Sequence, residues 1–202
     1  MPSSATLTTL RARVSALLTD TGNAVWATGT IDEALRLALH EYSLKRPSRA
    51  IGTVTLTAAA REVALSGLTG LIEVERVWFP YTAASPEYPP KWVLWKVLDN
   101  AGAFTLFLDV KATPAVDDVA RVFYRKLHTL NGLDSATGST FAVEDDSLLA
   151  LGGAGYSCLA RSIDLNETAA NMTASTPNYG ALASMLLGDF RRQLGAQKRV
   201  TI

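Results

Sequence analysis

Cysteine, histidine and excess charge of either sign are all scarce in this chain of 202 residues. A single cysteine, Cys158, rules out an intramolecular disulfide framework. The two histidines, His40 and His128, stand apart from any Cys, Asp or Glu at ligand spacing. Glu41 adjoins His40 but points elsewhere on a helix, so no metal site is expected. Nineteen basic residues balance nineteen acidic ones, whereas a dedicated nucleic-acid binder carries a basic excess. That neutrality does little to keep copies apart, so self-association is permitted. No run approaches the roughly 18 apolar residues that a membrane-spanning helix needs. The opening Pro2-Ser3-Ser4 does not have the pattern of a signal peptide. These absences lead us to expect a soluble, reduced protein made inside a cell. What is present is core-forming material: hydrophobic residues make up 48% and mean hydropathy is +0.14, which excludes intrinsic disorder.

The hydrophobic period divides the chain into three zones. In the first, Leu7, Leu10, Val14, Leu17 and Leu18 recur at helical steps, and Thr21-Gly22-Asn23 marks a turn. Thr30-Ile31-Asp32-Glu33 has the form of a capping box, with its acids at the positive end of the helix dipole. The helix it opens would bury Ile31, Ala34, Leu35, Ala38, Leu39 and Tyr42. His40, Lys45 and Arg46 gather near its end, and Pro47 stops it. From about Gly52 to Leu130 the period falls to two. Val54 and Leu56 alternate with threonines, and Glu62 to Leu65 offers a short partner across Ala58-Ala59-Ala60. Ile72 and Val74 alternate with glutamates, and Lys91–Leu98 and Phe104–Val110 meet at the turn Asp99-Asn100-Ala101-Gly102. Val119–Leu127 interleaves Arg121 and Arg125 with Val122, Phe123 and Tyr124. Five or six antiparallel strands in a small sandwich or open barrel follow from this spacing, with Pro80 to Pro90 as an exposed, semi-rigid loop.

The third zone returns to helices. Asn131 to Asp146 is a polar passage, Ser147 is placed to cap a helix over 148–164, and Leu148, Gly152, Tyr156, Leu159 and Ile163 form its stripe. Gly152, Gly153 and Gly155 each weaken that helix by about 1 kcal/mol relative to Ala, enough to displace or kink its start. A polar break over 169–177 precedes a last helix from Asn178, with Tyr179, Leu182, Met185, Leu186, Phe190 and Leu194 on one face. The expected fold class is therefore α+β. A bundle of about four helices, two N-terminal and two C-terminal, carries an inserted antiparallel sheet or sandwich. The expected boundaries are residues 1–50 for the first helices, 51–130 for the β module, and 131–202 for the loop and closing helices.

Chemistry is hard to find. His40 and His128 read as capping or surface histidines, and Cys158, with no close cation, as a buried inert thiol. Gly152-Gly153-Ala154-Gly155 lacks the Gly-Lys-Ser/Thr ending and the preceding strand of a phosphate loop, so close helix packing is expected there. Glu144-Asp145-Asp146 suits either a cation or a helix N-terminus. Trp78, Phe79, Tyr81, Tyr88, Trp92 and Trp95 crowd around the proline loop with only Lys91 and Lys96 near. They read as sheet core with the loop folded over it, as an interface, or as a stacking surface for sugars or nucleic acid. Near the end, Arg191, Arg192, Lys198 and Arg199 face one acid, Asp189, a local balance of +3. That suits a solvated helix end or a docking tail. No catalytic residue, metal or cofactor is expected.

Several features taken together resemble the head–tail connector adaptors of tailed bacteriophages. They are Trp26 ahead of Ile31-Asp32-Glu33-Ala34-Leu35 with Arg46-Pro47 at the end, and the strands Thr53-Val54-Thr55-Leu56-Thr57 and Leu71–Trp78. Phe104-Thr105-Leu106-Phe107-Leu108, Pro114, Val119-Ala120-Arg121-Val122-Phe123-Tyr124 and the closing helices complete the order. The resemblance implies a non-enzymatic virion protein made in the host cytoplasm. It would form a ring, twelvefold in the family, beneath the portal protein and extend the DNA channel toward the tail during genome ejection. Its partners would be itself, the portal, the next neck or tail protein, and DNA passing without sequence recognition; no membrane is involved. Arg191, Arg192, Lys198 and Arg199 would lie on the portal side, and Tyr81, Tyr88, Pro89 and Pro90 form a candidate interface loop. The alternatives are another tail-completion or baseplate protein, or a carbohydrate-binding module using the aromatic loop.

Overall fold

Two threonines start the first helix. Thr6 and Thr9 cap each other: the Thr9 amide donates to Thr6 Oγ1 at 3.3 Å and the Thr6 amide to Thr9 Oγ1 at 2.7 Å. This reciprocal box opens α1 (Leu7–Leu17), which buries Leu7, Leu10 and Val14, while Leu17 stays 52% exposed. The computed structural model describes residues 1–20, 25–100, 102–168 and 178–196. The expected turn at Thr21-Gly22-Asn23, the residue Ala101 and the break at 169–177 lie outside them.

Helix α2 (Thr28–Lys45) begins two residues before the Thr30 box, with Ala27 at its N-cap and no side-chain cap. The expected capping box is therefore absent, because Thr30 to Glu33 already lie inside the helix. Asp32 instead takes a two-pronged ion pair from Arg11 of α1, and Glu33 pairs with Arg36. The expected stripe holds: Ile31, Ala34, Leu35, Ala38, Leu39 and Tyr42 are all buried.

A 3-10 turn, Val143–Asp145, leads into α3 (Asp146–Thr168), so Ser147 sits inside the helix and does not cap it. Asn178 does cap α4 (Tyr179–Ala196), its Oδ1 accepting from the Ala181 amide at 3.0 Å. Helix α3 is central and touches α1, α2 and α4. The glycines make this possible. A Cβ on Gly153 would come within 2.8 Å of Leu35, and one on Gly155 within 2.8 Å of Leu187. The helix runs through them unbroken. Two stripe expectations fail. On α3 Leu159 and Ile163 are exposed, beyond the buried Cys158, and on α4 Leu187 is buried while Met185 faces out.

The passage after the sheet is more than a linker. Leu130, Leu133 and Phe141 are buried among the helices, and the chain's first residues pair with it. The Ser3 amide donates to the Phe141 carbonyl and the Leu7 amide to that of Asn131, both at 2.8 Å.

The chain divides into two compact units, Met1–Arg46 with His128–Ile202, and Pro47–Leu127. The second is one six-stranded antiparallel sheet in the order β1-β6-β3-β4-β5-β2. Its strands are β1 (Ser48–Thr55), β2 (Glu62–Ala64), β3 (Leu71–Trp78), β4 (Trp92–Asn100), β5 (Ala103–Asp109) and β6 (Val119–Lys126). The sheet curls around its own core, where Leu56, Val74, Leu106, Leu108, Ala120 and Val122 are nearly or fully buried. β2 pairs with β5, not with β1 as its place in the chain suggests. A bulge at Leu71/Glu73 turns Ile72 outward, against its expected alternation. The β4–β5 turn forms as expected, with the Gly102 amide donating to Asp99 Oδ1 at 2.8 Å and Gly102 at φ +87°.

Candidate partner interfaces

The α4 cations do different jobs from one another. Arg191 donates to Glu41 Oε1 at 2.8 Å, and Tyr156 donates its hydroxyl to Glu41 Oε2 at 2.6 Å, so the three residues tie α4, α2 and α3 together. Burial alone would raise the Glu41 carboxyl, but donation from Arg191 and Tyr156 outweighs it and holds the group below the usual carboxylate range. Arg192 pairs with Asp189 on the same helix at 2.7 Å and remains largely exposed. Lys198 and Arg199 lie outside the described residues. The expected cluster is thus divided, with Arg191 engaged internally and Arg192 at the surface.

Two of the acidic trio, Asp145 and Asp146, are also engaged. Asp145 accepts from the Tyr42 hydroxyl at 2.7 Å and from Arg46 at 2.9 Å, and Asp146 from Ser3 at 2.6 Å. Arg46 also reaches the carbonyls of Gln193 and Leu194 at the end of α4. These acids sit in the first turns before and within α3, as the dipole argument expects, and they also hold the bundle together. His128 bridges the Arg46 carbonyl and Thr140, a structural role. Burial pushes the Cys158 thiol up to about 11, which keeps it unreactive. Among the described residues, no group of three or more His, Cys, Asp or Glu could hold a metal ion, and no helix is long and apolar enough to cross a membrane.

The aromatics separate by strand parity. Residues directly opposite across a pair of strands share a face. Trp78 lies opposite both Arg121 and Trp92, while Phe123 lies opposite both Ile51 and Arg76. Two rows of side chains therefore cross the outer face of β1, β6, β3 and β4. Trp78 is buried under Tyr81, with ring centroids 5.1 Å apart, whereas Trp92 is 47% exposed and Leu94, two residues on, is 75% exposed. Trp92 meets Phe123 at 5.5 Å. The Arg121 guanidinium lies 4.9 Å from the Tyr81 ring centroid and 5.6 Å from that of Phe123, and Arg76 lies 5.6 Å from that of Trp92. Phe79 belongs to the core, and Trp95 turns inward to line a cleft of about 280 Å³ with Leu71, Val74 and Phe104.

Of the four expected loop residues, only Tyr81 joins this face. Tyr88 is 90% exposed, and Pro89 and Pro90 remain on the surface loop. The cations near the rings are Arg76 and Arg121, not Lys91 and Lys96. Their signal was the two-residue step from Arg121 to Phe123, but the cross-strand neighbours that complete the face are set by the sheet order.

No family model matches the chain, and no curated protein matches it. The solved structures similar to it include two particle necks. One is described as the neck of an empty GTA particle computed with C6 symmetry, 12% identical with a TM-score of 0.34, covering 100% of this chain and 96% of that one. The other is described as the neck of a native GTA particle computed with C12 symmetry, 13% identical with a TM-score of 0.32, covering 100% and 97%.

Proposed function

We propose that the protein is a structural, non-enzymatic component of a virion neck: a ring-forming connector that binds beneath a portal protein and extends the DNA channel toward the tail. This is the kind of particle part from which both similar structures come, and the reading does not rest on them. It rests on the chain's order of elements, which resembles connector adaptors, and on one observation. The outer face of the sheet leaves Trp92, Leu94 and Ile51 open beside two guanidiniums that pair with rings instead of carboxylates. Aromatics and arginine are enriched in protein interfaces and dominate their hot spots. A sugar-binding role fits this face less well. Arg76 already lies over the Trp92 ring, where a sugar would have to stack.

In this reading the exposed Arg192, with Lys198 and Arg199, meets the portal side, while Arg191 serves the bundle itself. The loop at Tyr81, Tyr88, Pro89 and Pro90 contributes to a partner contact, and DNA passes through the ring without sequence recognition. Native mass spectrometry and negative-stain imaging, with and without a portal protein, test the proposal. Closed rings, or a complex with portal, are expected. A strictly monomeric protein that binds sugar saturably overturns it. Reversing Arg192, Lys198 and Arg199 should weaken portal attachment more at low salt than at high salt, since rim charges act chiefly on encounter.

A further inference from the structure

Nine of the twelve described arginines face a carboxylate; Arg61, Arg76 and Arg121 do not. Arg61 donates to the Lys111 carbonyl. Arg76 and Arg121 stay on the open aromatic face, with no counter-ion among the described residues. The sheet also carries the reverse feature. At the far end of the β4–β5 hairpin, Asp99 stands directly opposite Phe104, which is 43% exposed, with Leu98, 42% exposed, on the other face, and Asp99 pairs with no cation among the described residues. An apolar tip bearing one carboxylate matches an apolar face bearing two guanidiniums.

We propose that the β4–β5 hairpin end of one copy docks on the Arg76–Trp92–Phe123–Arg121 face of the next copy. This rests on the ring-forming reading and names the contact that builds the ring. The two patches stand at opposite ends of β4. Seven strand steps from Trp92 to Asp99 span roughly 23 Å at about 3.3 Å per residue, so one copy cannot satisfy itself. The two surfaces differ, so the contact is head-to-tail. Repeated around an axis, it closes a ring or continues as a filament. Another exposed acid beside an apolar residue, Asp117 next to Val116, is a poorer occupant. It precedes β6 only four residues before Arg121, at the same end as the face, and would favour a two-fold pair instead.

Charge exchange tests the proposal in the full-length protein. Arg76→Glu with Arg121→Glu, and separately Asp99→Arg, should each lower the ring fraction about tenfold or more at fixed concentration. Asp99→Asn, which removes the charge and keeps an acceptor for the Gly102 amide, should also lower it with its thermal midpoint held, separating loss of charge from loss of the turn bond. Mixing the two charge-reversed variants should restore rings, because every contact in an alternating ring then joins opposite charges. If the double variant does not fold, Arg76→Glu alone, at an exposed position, replaces it. A wild type that never forms rings overturns the ring reading and this contact together. Rings that form normally in every variant overturn only the contact, as does failure of the mixture to recover. Restoration by Asp117→Arg in place of Asp99→Arg assigns a different surface and also overturns it.

Discussion

All seven described arginines of the helical unit, Arg11, Arg13, Arg36, Arg46, Arg161, Arg191 and Arg192, face a carboxylate, whereas in the sheet unit only Arg49 and Arg125 do. The helical unit uses its charges to hold its own parts together. Its chain ends, its loop and four helices come from distant stretches of sequence. Arg46–Asp145, Ser3–Asp146 and Arg191–Glu41 join pieces that backbone hydrogen bonds alone would leave separate. A sheet needs no such ties, because the ladder already joins its strands. Its outward side chains are therefore free to serve something outside the unit. In the sheet unit Arg76 and Arg121 lie against exposed rings instead.

The largest effect should come from putting a charge where the helical unit is driest. Leu35→Asp, or Leu39→Asp, places a carboxylate without a partner on the buried face of α2 at a cost of several kcal/mol. Loss of the cooperative thermal transition of the helical unit is expected, and an unchanged midpoint would refute the packing around α3. The arginine comparison comes next. Arg46→Ala leaves the buried Asp145 charge with only the Tyr42 hydroxyl and should cost about 3–5 kcal/mol, whereas Arg76→Ala, on the open face, should stay within about 0.5 kcal/mol. Chemical denaturation of both variants measures the contrast. Equal losses would erase the distinction between the units.

Two glycines sharpen the picture inside the helical unit. Gly155→Ala drives a methyl into Leu187, side chain and backbone, and should destabilise by about 1–3 kcal/mol despite the better helix propensity. Gly188→Ala on α4 meets nothing within 4 Å and should stabilise by up to about 1 kcal/mol. Paired melting curves of opposite sign are the expected result.

The smallest effect is one of pH. Because the Glu41 carboxyl is held low in the folded protein, the stability it contributes is present above the ordinary carboxylate range and is lost as pH falls through its folded value. Arg191 is about half exposed, so solvent screening limits the pair to roughly 0.2–1 kcal/mol. The stability gap between wild type and Arg191→Ala should be open at pH 7 and close as pH falls through and below the ordinary carboxylate range. A gap that stays constant across that range would mean that Arg191 acts through packing alone.

Much of the framework was legible in the residues. Helix α2 could be read because six apolar positions repeat at its own period. The hairpin could be read because Asp99 to Gly102 carry their turn chemistry locally. The capping box at Thr30 misled because an N-cap motif is also an ordinary helix interior when the chain enters two residues earlier, and Ala27 gave no sign of that. Ile72 misled because a bulge costs one residue of register and leaves no mark in composition. Arg76 and Arg121 were visible as residues but not as a site, since what makes them one is the strand opposite.

Local sequence settles what depends on neighbours within a turn or two of chain: which segments are helix or strand, where α2 stops at Pro47, and that Gly152 to Gly155 ask for a close neighbour. Tertiary structure alone decided which neighbour that is, that the polar passage after the sheet buries Phe141 among the helices, and that β2 joins β5. It also set which face of the sheet carries its aromatics beside Arg76 and Arg121. The physical reason is one of range. Propensity, capping and periodicity act through the local backbone, whereas burial and charge pairing are settled only when residues tens of positions apart in sequence are brought within a few ångströms.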